Sequence, residues 1–318
     1  MTAQTQSLRV LVTGASGFVG RYLVGELLRR GHHVVALARS EEKLRRVVPE
    51  VEHAALSSVR GGLFDRQALG RGVEGADAAV HLVGIIAEKG CGQTFDRIHR
   101  EGTERVVEAL VEGGVRRYVH MSALGTRAGA RSLYHRTKWA AEQAVGGSPL
   151  ESTIFRPSLI HGPDGEFMRL LKRLACGLLP PVMPYFGSGR SRVQPVSVRD
   201  VAFCFADALE RPATVGQVYE LGGPKTYTWR ELYATAQRLI PGARRWKPRV
   251  GQPVALARLL AATVMKTPLV PQELRFNRSQ IQMSQEDSTC DHTVVERAFD
   301  LRLRDFQTEL AAYATEIP

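Results

Sequence analysis

The sequence has few cysteines and no long apolar run, and each shortage excludes a class of protein. Cysteine occurs 4 times in 318 residues, at positions whose spacing fits neither a disulfide framework nor a metal site: Cys91, Cys176, Cys204 and Cys290. We therefore expect reduced, buried thiols and no bound metal. The longest mostly apolar stretch, residues 254–265, contains Arg258 and is too short to span a bilayer. The N-terminus lacks the apolar core of a signal peptide, which predicts a cytoplasmic protein.

Acidic residues are too few to balance the basic ones, and the formal net charge is +11 at pH 7. Residues 127–199 hold 11 Lys and Arg against 4 Asp and Glu, and residues 225–318 hold 14 against 10. Such an excess fits a plain basic surface, an anionic substrate, an acidic partner or an anionic lipid. Aromatic residues are not interleaved with the basic ones, so we expect no nucleic-acid partner.

The chain begins with a strand, a glycine turn and a helix. Residues 8–12 form an apolar run typical of a buried parallel strand, and the amphipathic helix after the turn ends at Gly31. Gly14 permits a tight turn, Gly17 lets main-chain N–H groups approach a pyrophosphate, and Gly20 lets the helix pack on the sheet. This G-x-x-G-x-x-G spacing, between strand and helix, predicts a dinucleotide site.

The end of the second predicted strand, residues 33–38, indicates which dinucleotide is bound. An NAD-specific site usually has an acidic residue here, but this chain has Arg39 and Ser40. An arginine suits a 2′-phosphate, so the sequence favours NADP(H) over NAD(H). The alternative is that Arg39 pairs with Glu41 or Glu42 on the surface.

Further strands alternate with helices along the chain. They are predicted to end near residues 60–65 and to cover residues 78–83, 118–121, 153–160 and 218–223. This alternation predicts βαβ units and a parallel sheet. We expect an α/β fold with a Rossmann-type doubly wound sheet in residues 1–224. A smaller, mainly helical cap or substrate domain is expected in residues 225–318.

A candidate catalytic set follows the fifth predicted strand, which leads into Ser122. Tyr134 and Lys138 are four residues apart, which on a helix places them on one face, a turn apart. A free tyrosine has a pKa of about 10, and we expect the nearby ammonium and a cationic nicotinamide to lower it. Tyr134 could then serve as acid and base, with Ser122 orienting a carbonyl or hydroxyl group.

Several of these segments carry motifs of a known family: TGASGFVG at 13–20, HLVG at 81–84, EGTERVVEA at 101–109, HMSALG at 120–125, YHRTK at 134–138 and FRPSLIHGP at 155–163. Together they resemble the short-chain dehydrogenase/reductase superfamily. Within it they most resemble the atypical branch typified by the NADPH-binding accessory subunit of respiratory complex I and its bacterial relatives. The resemblance covers residues 8–224.

The resemblance implies a role for particular residues. Ser122, Tyr134 and Lys138 would form the catalytic set. Cofactor contacts would come from Gly14, Ser16, Gly17, Phe18, Val19, Gly20, Arg39, Ser40, Leu82, Val83, Gly84, Tyr134, Lys138, Arg156, Pro157 and Ser158. Gly62 stands where many relatives carry Asp, and His99 where extended members often carry Asn.

Two segments of the second half have alternative interpretations. The glycine-rich loop 187–192 either contacts a phosphate or sugar nucleotide through Arg190 or Arg192, or is an exposed turn. Residues 254–265 either form the core of the cap, which we favour, or dock to a membrane face or a larger complex.

Three functions follow as hypotheses. The first is an NADP(H)-dependent oxidoreductase that transfers a hydride to or from a small, anionic substrate. The second is a non-catalytic, NADPH-holding subunit of a respiratory or membrane-associated complex, peripheral to the inner membrane. The third is a nucleotide-sugar epimerase or dehydratase, which would return the hydride to its substrate.

Overall fold

The computed structural model describes residues 7–90, 92–267, 270–271 and 274–318. Backbone contacts divide the chain into two units. The first unit consists of the residues up to 129 together with 135–156 and 199–219. The second unit consists of 130–134, 157–198 and the residues from 220 onward.

Strands and helices alternate through the first half of the chain. Their bounds are β1 (Arg9–Thr13), α1 (Phe18–Arg29), β2 (His33–Ala38), α2 (Glu41–Val47), β3 (Leu56–Arg60), α3 (Arg66–Val73), β4 (Ala78–His81), a π-helical segment (Asp96–Glu101), α4 (Gly102–Glu112), β5 (Arg117–Met121), α5 (Leu133–Gly146) and β6 (Glu151–Pro157). Residues 61–65 form a turn rather than strand, because Asp65 caps α3 by accepting the Ala68 N–H.

The second half has short strands between helices. Their bounds are β7 (Ile160–His161), α6 (Glu166–Cys176), β8 (Met183–Phe186), β9 (Arg192–Val193), β10 (Val196–Ser197), α7 (Val198–Glu210), β11 (Val218–Leu221), β12 (Tyr227–Thr228), α8 (Trp229–Leu239), β13 (Arg249–Gln252), α9 (Val254–Ala262), α10 (Arg278–Met283), α11 (Thr293–Phe299) and α12 (Phe306–Tyr313). Single 3₁₀ turns cover Pro212–Thr214 and Val264–Lys266.

A seven-stranded sheet has the strand order β11–β6–β5–β4–β1–β2–β3. Neighbouring strands from β3 to β6 are parallel. The order reverses between β1 and β4, the position where doubly wound sheets bind their ligands. Val10, Leu11 and Val12 of β1 are fully buried, which explains the continuous apolar run. The predicted Rossmann-type fold is confirmed.

The second unit has its own core, in which helix α6 meets α8 and α12. Leu171 and Leu174 of α6 are buried in one cluster with Leu232 of α8 and Phe306 of α12. Because α6 contributes this apolar face, residues 157–198 join the second unit, whereas the sequence predicted a boundary after residue 224. Three two-stranded sheets complete the unit: β7 with β10, β9 with β12, and β8 with β13.

Helix α9 lies outside this core, contrary to the favoured prediction for residues 254–265. Ala257 is its buried residue, whereas Leu256 and Leu259 are 47% and 60% exposed. The prediction was wrong because α6, α8 and α12 already fill the core. Among the described residues, no helix combines the length and apolar character that a bilayer span requires.

The cysteines are free thiols where the structure describes them. Cys204 is buried, as predicted, but Cys176 and Cys290 are only half-buried. Cys91 lies outside the described residues.

Candidate active site

The glycine turn between β1 and α1 has the geometry of an anion site. Gly14 has a φ of +82°, which disfavours any residue with a side chain, and its carbonyl accepts the Gly17 N–H at 2.9 Å. A Cβ atom added at Gly20 would lie 2.7 Å from Ala15 Cα, so α1 can approach the turn this closely only with glycine. Gly17 is the N-cap and supplies no side chain to the first amides of α1. These N–H groups, at Phe18 and Val19, can bind an anion.

The segment after β4 lies against this turn. The Leu82 N–H donates to the Thr13 carbonyl at 3.1 Å, and a Cβ atom at Gly14 would contact Val83 Cγ2 at 3.3 Å. Leu82 and Val83 therefore line the glycine turn at the switch point of the sheet. The family resemblance implies that these two residues contact the cofactor.

The Arg39 side chain is exposed at the carboxyl end of β2 and makes no ion pair or hydrogen bond with any described residue. Glu41 pairs instead with Arg45 at 2.9 Å. Ser40 is engaged in the helix cap, because its Oγ accepts the Lys43 N–H at 3.0 Å. The alternative interpretation, a surface pair of Arg39 with Glu41 or Glu42, is not seen, and the guanidinium is available to a phosphate.

Lys138 is a buried amine at the carboxyl edge of the sheet. Its side chain is on α5, and its Nζ donates to the Met121 carbonyl at 2.8 Å. Burial lowers the pKa of Lys138 to about 8, and the Glu142 carboxylate on the same helix partly offsets this effect. An ammonium has three N–H donors, and among the described residues only Met121 accepts one. Two donors therefore remain for a ligand.

The loop after β4 passes over this amine at Gly84, where a Cβ atom would lie 3.2 Å from Lys138 Nζ and 3.7 Å from His99 Nε2. His99 is held by the π-helical segment, a distortion often found at functional sites. Its Nδ1 lies 2.9 Å from Thr137 Oγ1 and its Nε2 lies 3.1 Å from the Ile85 main-chain nitrogen. Burial, with help from the Lys138 charge, lowers the pKa of His99 to about 2.

Two more buried histidines end neighbouring strands. His81 stacks on His120 with ring centroids 5.5 Å apart, and its Nδ1 lies 2.6 Å from Thr13 Oγ1. Burial lowers the pKa of His81 to about 3 and that of His120 well below the usual value. The histidines are therefore uncharged at neutral pH and add no competing charge near Lys138. The sequence reasoning did not assign them a role, although a histidine near the end of each of two apolar strands is a visible signal.

Tyr134 lies in the first turn of α5, one helical turn before Lys138, as the spacing predicted. Burial raises the pKa of Tyr134 to about 12. The Lys138 ammonium alone therefore does not lower this pKa, because burial disfavours the phenolate; the lowering by a cationic nicotinamide stays a prediction. Ser122 follows β5 directly and is buried; its N–H donates to the Phe155 carbonyl at 2.7 Å and its Oγ to Thr126 Oγ1 at 3.4 Å.

Arg156 was expected beside the cofactor, but its guanidinium is committed elsewhere. It forms a two-point ion pair with Glu142, with Nε–Oε1 and Nη2–Oε2 distances of 2.9 and 2.6 Å. This pair links β6 to α5, so the Arg156 side chain has a structural role. Ser158 Oγ lies 3.0 Å from both the carbonyl and the hydroxyl of Ser288.

The basic loop of the second unit keeps one free arginine. Arg192 pairs with Asp287 at 3.1 Å, whereas Arg190 is exposed and its guanidinium contacts no described residue. Gly187 and Gly189 have φ values of +67° and +66°, typical of a turn. Among the described residues, no three His, Cys, Asp or Glu side chains are grouped as metal ligands would be.

The fold and the glycine turn define a Rossmann-type nucleotide-binding protein. A family model described as NAD(P)H-binding matches residues 14–174, about half of the chain. The chain therefore belongs to this NAD(P)H-binding family, in agreement with the short-chain dehydrogenase/reductase motifs.

Relatives within this family include respiratory subunits and reductases. The chain is 30% identical to the mitochondrial NADH dehydrogenase (ubiquinone) 1 alpha subcomplex subunit 9 of Arabidopsis thaliana, over 85% of this chain and 68% of that protein. It is 33% identical to the ceramide reductase of Caulobacter vibrioides, over 76% of this chain and 72% of that protein. Two further mitochondrial relatives, from Dictyostelium discoideum and Neurospora crassa, are longer, and the chain spans 63% and 60% of their lengths.

Solved structures share the architecture. The dTDP-glucose 4,6-dehydratase DesIV of Streptomyces venezuelae superposes with a TM-score of 0.74 over 97% of this chain and 96% of its own. The identity is 21%, so this likeness is one of fold.

Proposed function

We propose that this protein is an NADP(H)-dependent oxidoreductase that reduces a carbonyl group of a small molecule. The observation that carries the proposal is Lys138, a buried amine with two unused donors, one helical turn from Tyr134. The uncapped amides after Gly17 would hold the pyrophosphate, and Lys138 would bond the nicotinamide ribose. The bound nicotinamide supplies the hydride.

The protonated form of Tyr134 is the form that carbonyl reduction requires. With a pKa of about 12, its phenol keeps its proton at neutral pH. It can then donate that proton to a carbonyl oxygen that gains negative charge, while the Ser122 hydroxyl orients the same oxygen. The Lys138 ammonium would stabilise the phenolate left behind.

The preference for NADP(H) rests on Arg39, whose exposed guanidinium is free to meet a 2′-phosphate. The anionic character of the substrate rests on the basic excess of residues 127–199, of which Arg190 is an exposed member. Reduction is the reaction class in the name of the Caulobacter relative.

The test is a screen of carbonyl compounds for oxidation of NADPH, with wild type beside Tyr134→Phe. We expect turnover by the wild type and at least about a hundredfold less by the variant, with unchanged NADPH affinity, because the lost hydroxyl acts on the substrate. Equal turnover by the variant would remove Tyr134 from the mechanism. Interconversion of a sugar nucleotide without net NADPH oxidation would indicate an epimerase or dehydratase instead.

A second candidate is a subunit that holds NADPH without turnover and docks to a respiratory or other membrane-associated complex. The mitochondrial relatives and the exposed Leu256 and Leu259 of α9 favour it. Tightly retained NADPH that does not exchange on dilution, with no turnover of any carbonyl, would support this candidate. Rapid exchange would support the reductase.

A further inference from the structure

Two loops of the second unit expose large apolar side chains. Leu178 and Leu179, just after α6, are 67% and 77% exposed, and Trp246, before β13, is 62% exposed. Isolated exposed leucines are common, but a leucine pair with a tryptophan on an adjoining loop is a recognisable patch.

The two loops are fixed to one another. Lys247 is only 2% exposed, and its Nζ donates to the carbonyls of Leu174 and Pro180, both at 2.8 Å. Arg244 Nε donates to the Cys176 carbonyl at 3.0 Å, and the Met183 N–H to the Pro248 carbonyl at 2.9 Å. The exposed side chains therefore project from anchored backbone.

The two sequence stretches that contain the patch are basic and have no acidic residue. Residues 167–199 contain six Lys and Arg and no Asp or Glu, and residues 232–272 contain seven and none. Arg245 and Arg249 flank the tryptophan in sequence and are exposed. Arg245 makes no hydrogen bond or ion pair with a described side chain, whereas Arg249 Nη1 donates to Gln237 Oε1 at 2.6 Å. We call Leu178, Leu179, Arg245, Trp246 and Arg249 the loop surface.

We propose that the loop surface binds an anionic lipid bilayer. The leucine pair would enter the boundary between headgroups and acyl chains, and Trp246 would lie at headgroup level, where tryptophan is enriched. Arg245 and Arg249 would meet lipid phosphates. A bilayer fits better than a protein partner because its anionic surface is continuous, and the loop surface offers arginines and apolar side chains in sequence stretches without an acidic residue. This inference does not depend on turnover.

The test is co-sedimentation of the full chain with vesicles of phosphatidylcholine alone or mixed with phosphatidylglycerol at roughly 7:3. We expect binding to the mixed vesicles that weakens with salt. The double variant Leu178→Ser/Leu179→Ser and the charge reversal Arg245→Glu should each lower the partition coefficient at least about tenfold. Bromine-labelled lipid should quench fluorescence in the wild type but much less in Trp246→Phe.

Two matched controls use exposed residues of the same unit outside the loop surface. Val294 on α11 is 50% exposed, so Val294→Ser removes a comparable apolar side chain. Arg302 is exposed, so Arg302→Glu makes the same charge change as Arg245→Glu. NADPH affinity and thermal unfolding, measured on every variant, establish that each one folds.

Equal loss of vesicle binding in the control variants would overturn the proposal, since it would indicate general charge attraction. Failure to bind mixed vesicles would also overturn it. If native membranes then bound the chain and lost this binding after protease treatment, the loop surface would be assigned to a protein partner.

Discussion

Among the residues whose burial the structure describes, each unit buries one lysine, and the two lysines are held in different ways. Lys138 of the first unit donates to a single carbonyl, that of Met121. Lys247 of the second unit donates to two, those of Leu174 and Pro180. Both are 2% exposed, and burial lowers the pKa of both amines.

Burial alone therefore does not distinguish a structural lysine from a functional one. Lys247 donates to the Leu174 carbonyl near the end of α6, where helix carbonyls lack partners within the helix, and to the Pro180 carbonyl in the following loop. Lys138 keeps two donors free beside Gly84 and among uncharged histidines, next to the glycine turn. From the unused donors and the neighbours, we propose that Lys138 is the ligand-binding amine.

The largest expected effect comes from Lys138→Met. If Lys138 supports Tyr134, kcat/KM for a carbonyl substrate should fall about 10²–10⁴-fold, with weaker NADPH binding. The free energy of unfolding at pH 7 should stay within about 1 kcal/mol of wild type or rise, because a buried charge is removed. Steady-state kinetics and urea unfolding measure both. Full activity in this variant would make Lys138 a structural residue like Lys247.

The converse change, Lys247→Met, should damage stability and spare the cofactor site. Because the carbonyls of Leu174 and Pro180 lose their donor, we expect the free energy of unfolding to fall by about 2–4 kcal/mol. NADPH affinity, measured by fluorescence titration, should not change. Lys225→Met, at an exposed ion pair with Asp305, is the control and should cost less than about 1 kcal/mol. If a folded Lys247→Met protein lost NADPH binding, the purely structural role of Lys247 would be contradicted.

The smallest effect is a pH dependence that belongs to Lys138. Its pKa is about 8 when the protein is folded, against the usual 10.5 of a lysine, so between these pH values the unfolded chain binds more protons. Stability from this group therefore rises with pH across that window, by at most about 3 kcal/mol. Subtracting the curve of Lys138→Met cancels the other groups. If the free energy of unfolding of the wild type, minus that of Lys138→Met, fell as the pH rose, the folded protein would favour the ammonium form of Lys138.

Local sequence patterns were sufficient to predict the glycine turn and the Tyr134–Lys138 helix. The roles of Gly14 and Gly20 depend on a few neighbouring atoms, and the Tyr134–Lys138 relation depends on helix geometry alone. The same holds for the cap of α8, where Thr228 Oγ1 accepts the N–H of Glu231, three residues later, at 3.2 Å. Such features are encoded within a few residues of sequence.

Features that depend on contacts between distant elements could not be predicted in this way. Arg156 lies in a strand, as expected, but Glu142, on the preceding helix, forms an ion pair with its guanidinium. Helix α9 is apolar enough for a core, yet other helices fill that core first. The burial of Lys247 depends on the loop after α6, far away in sequence. The catalytic assignment of Ser122 and Tyr134 stays a prediction.

The order in which the chain contributes segments to its two units limits which segments recombination can exchange. Each unit draws on three separate segments, so the chain passes back and forth between them. A recombination event that exchanged only the residues after 224 would leave Leu171 and Leu174 of α6 without the Leu232 and Phe306 that cover them. The residues after 224 are therefore not a module that can be exchanged as a whole, because they share the core of the second unit with α6.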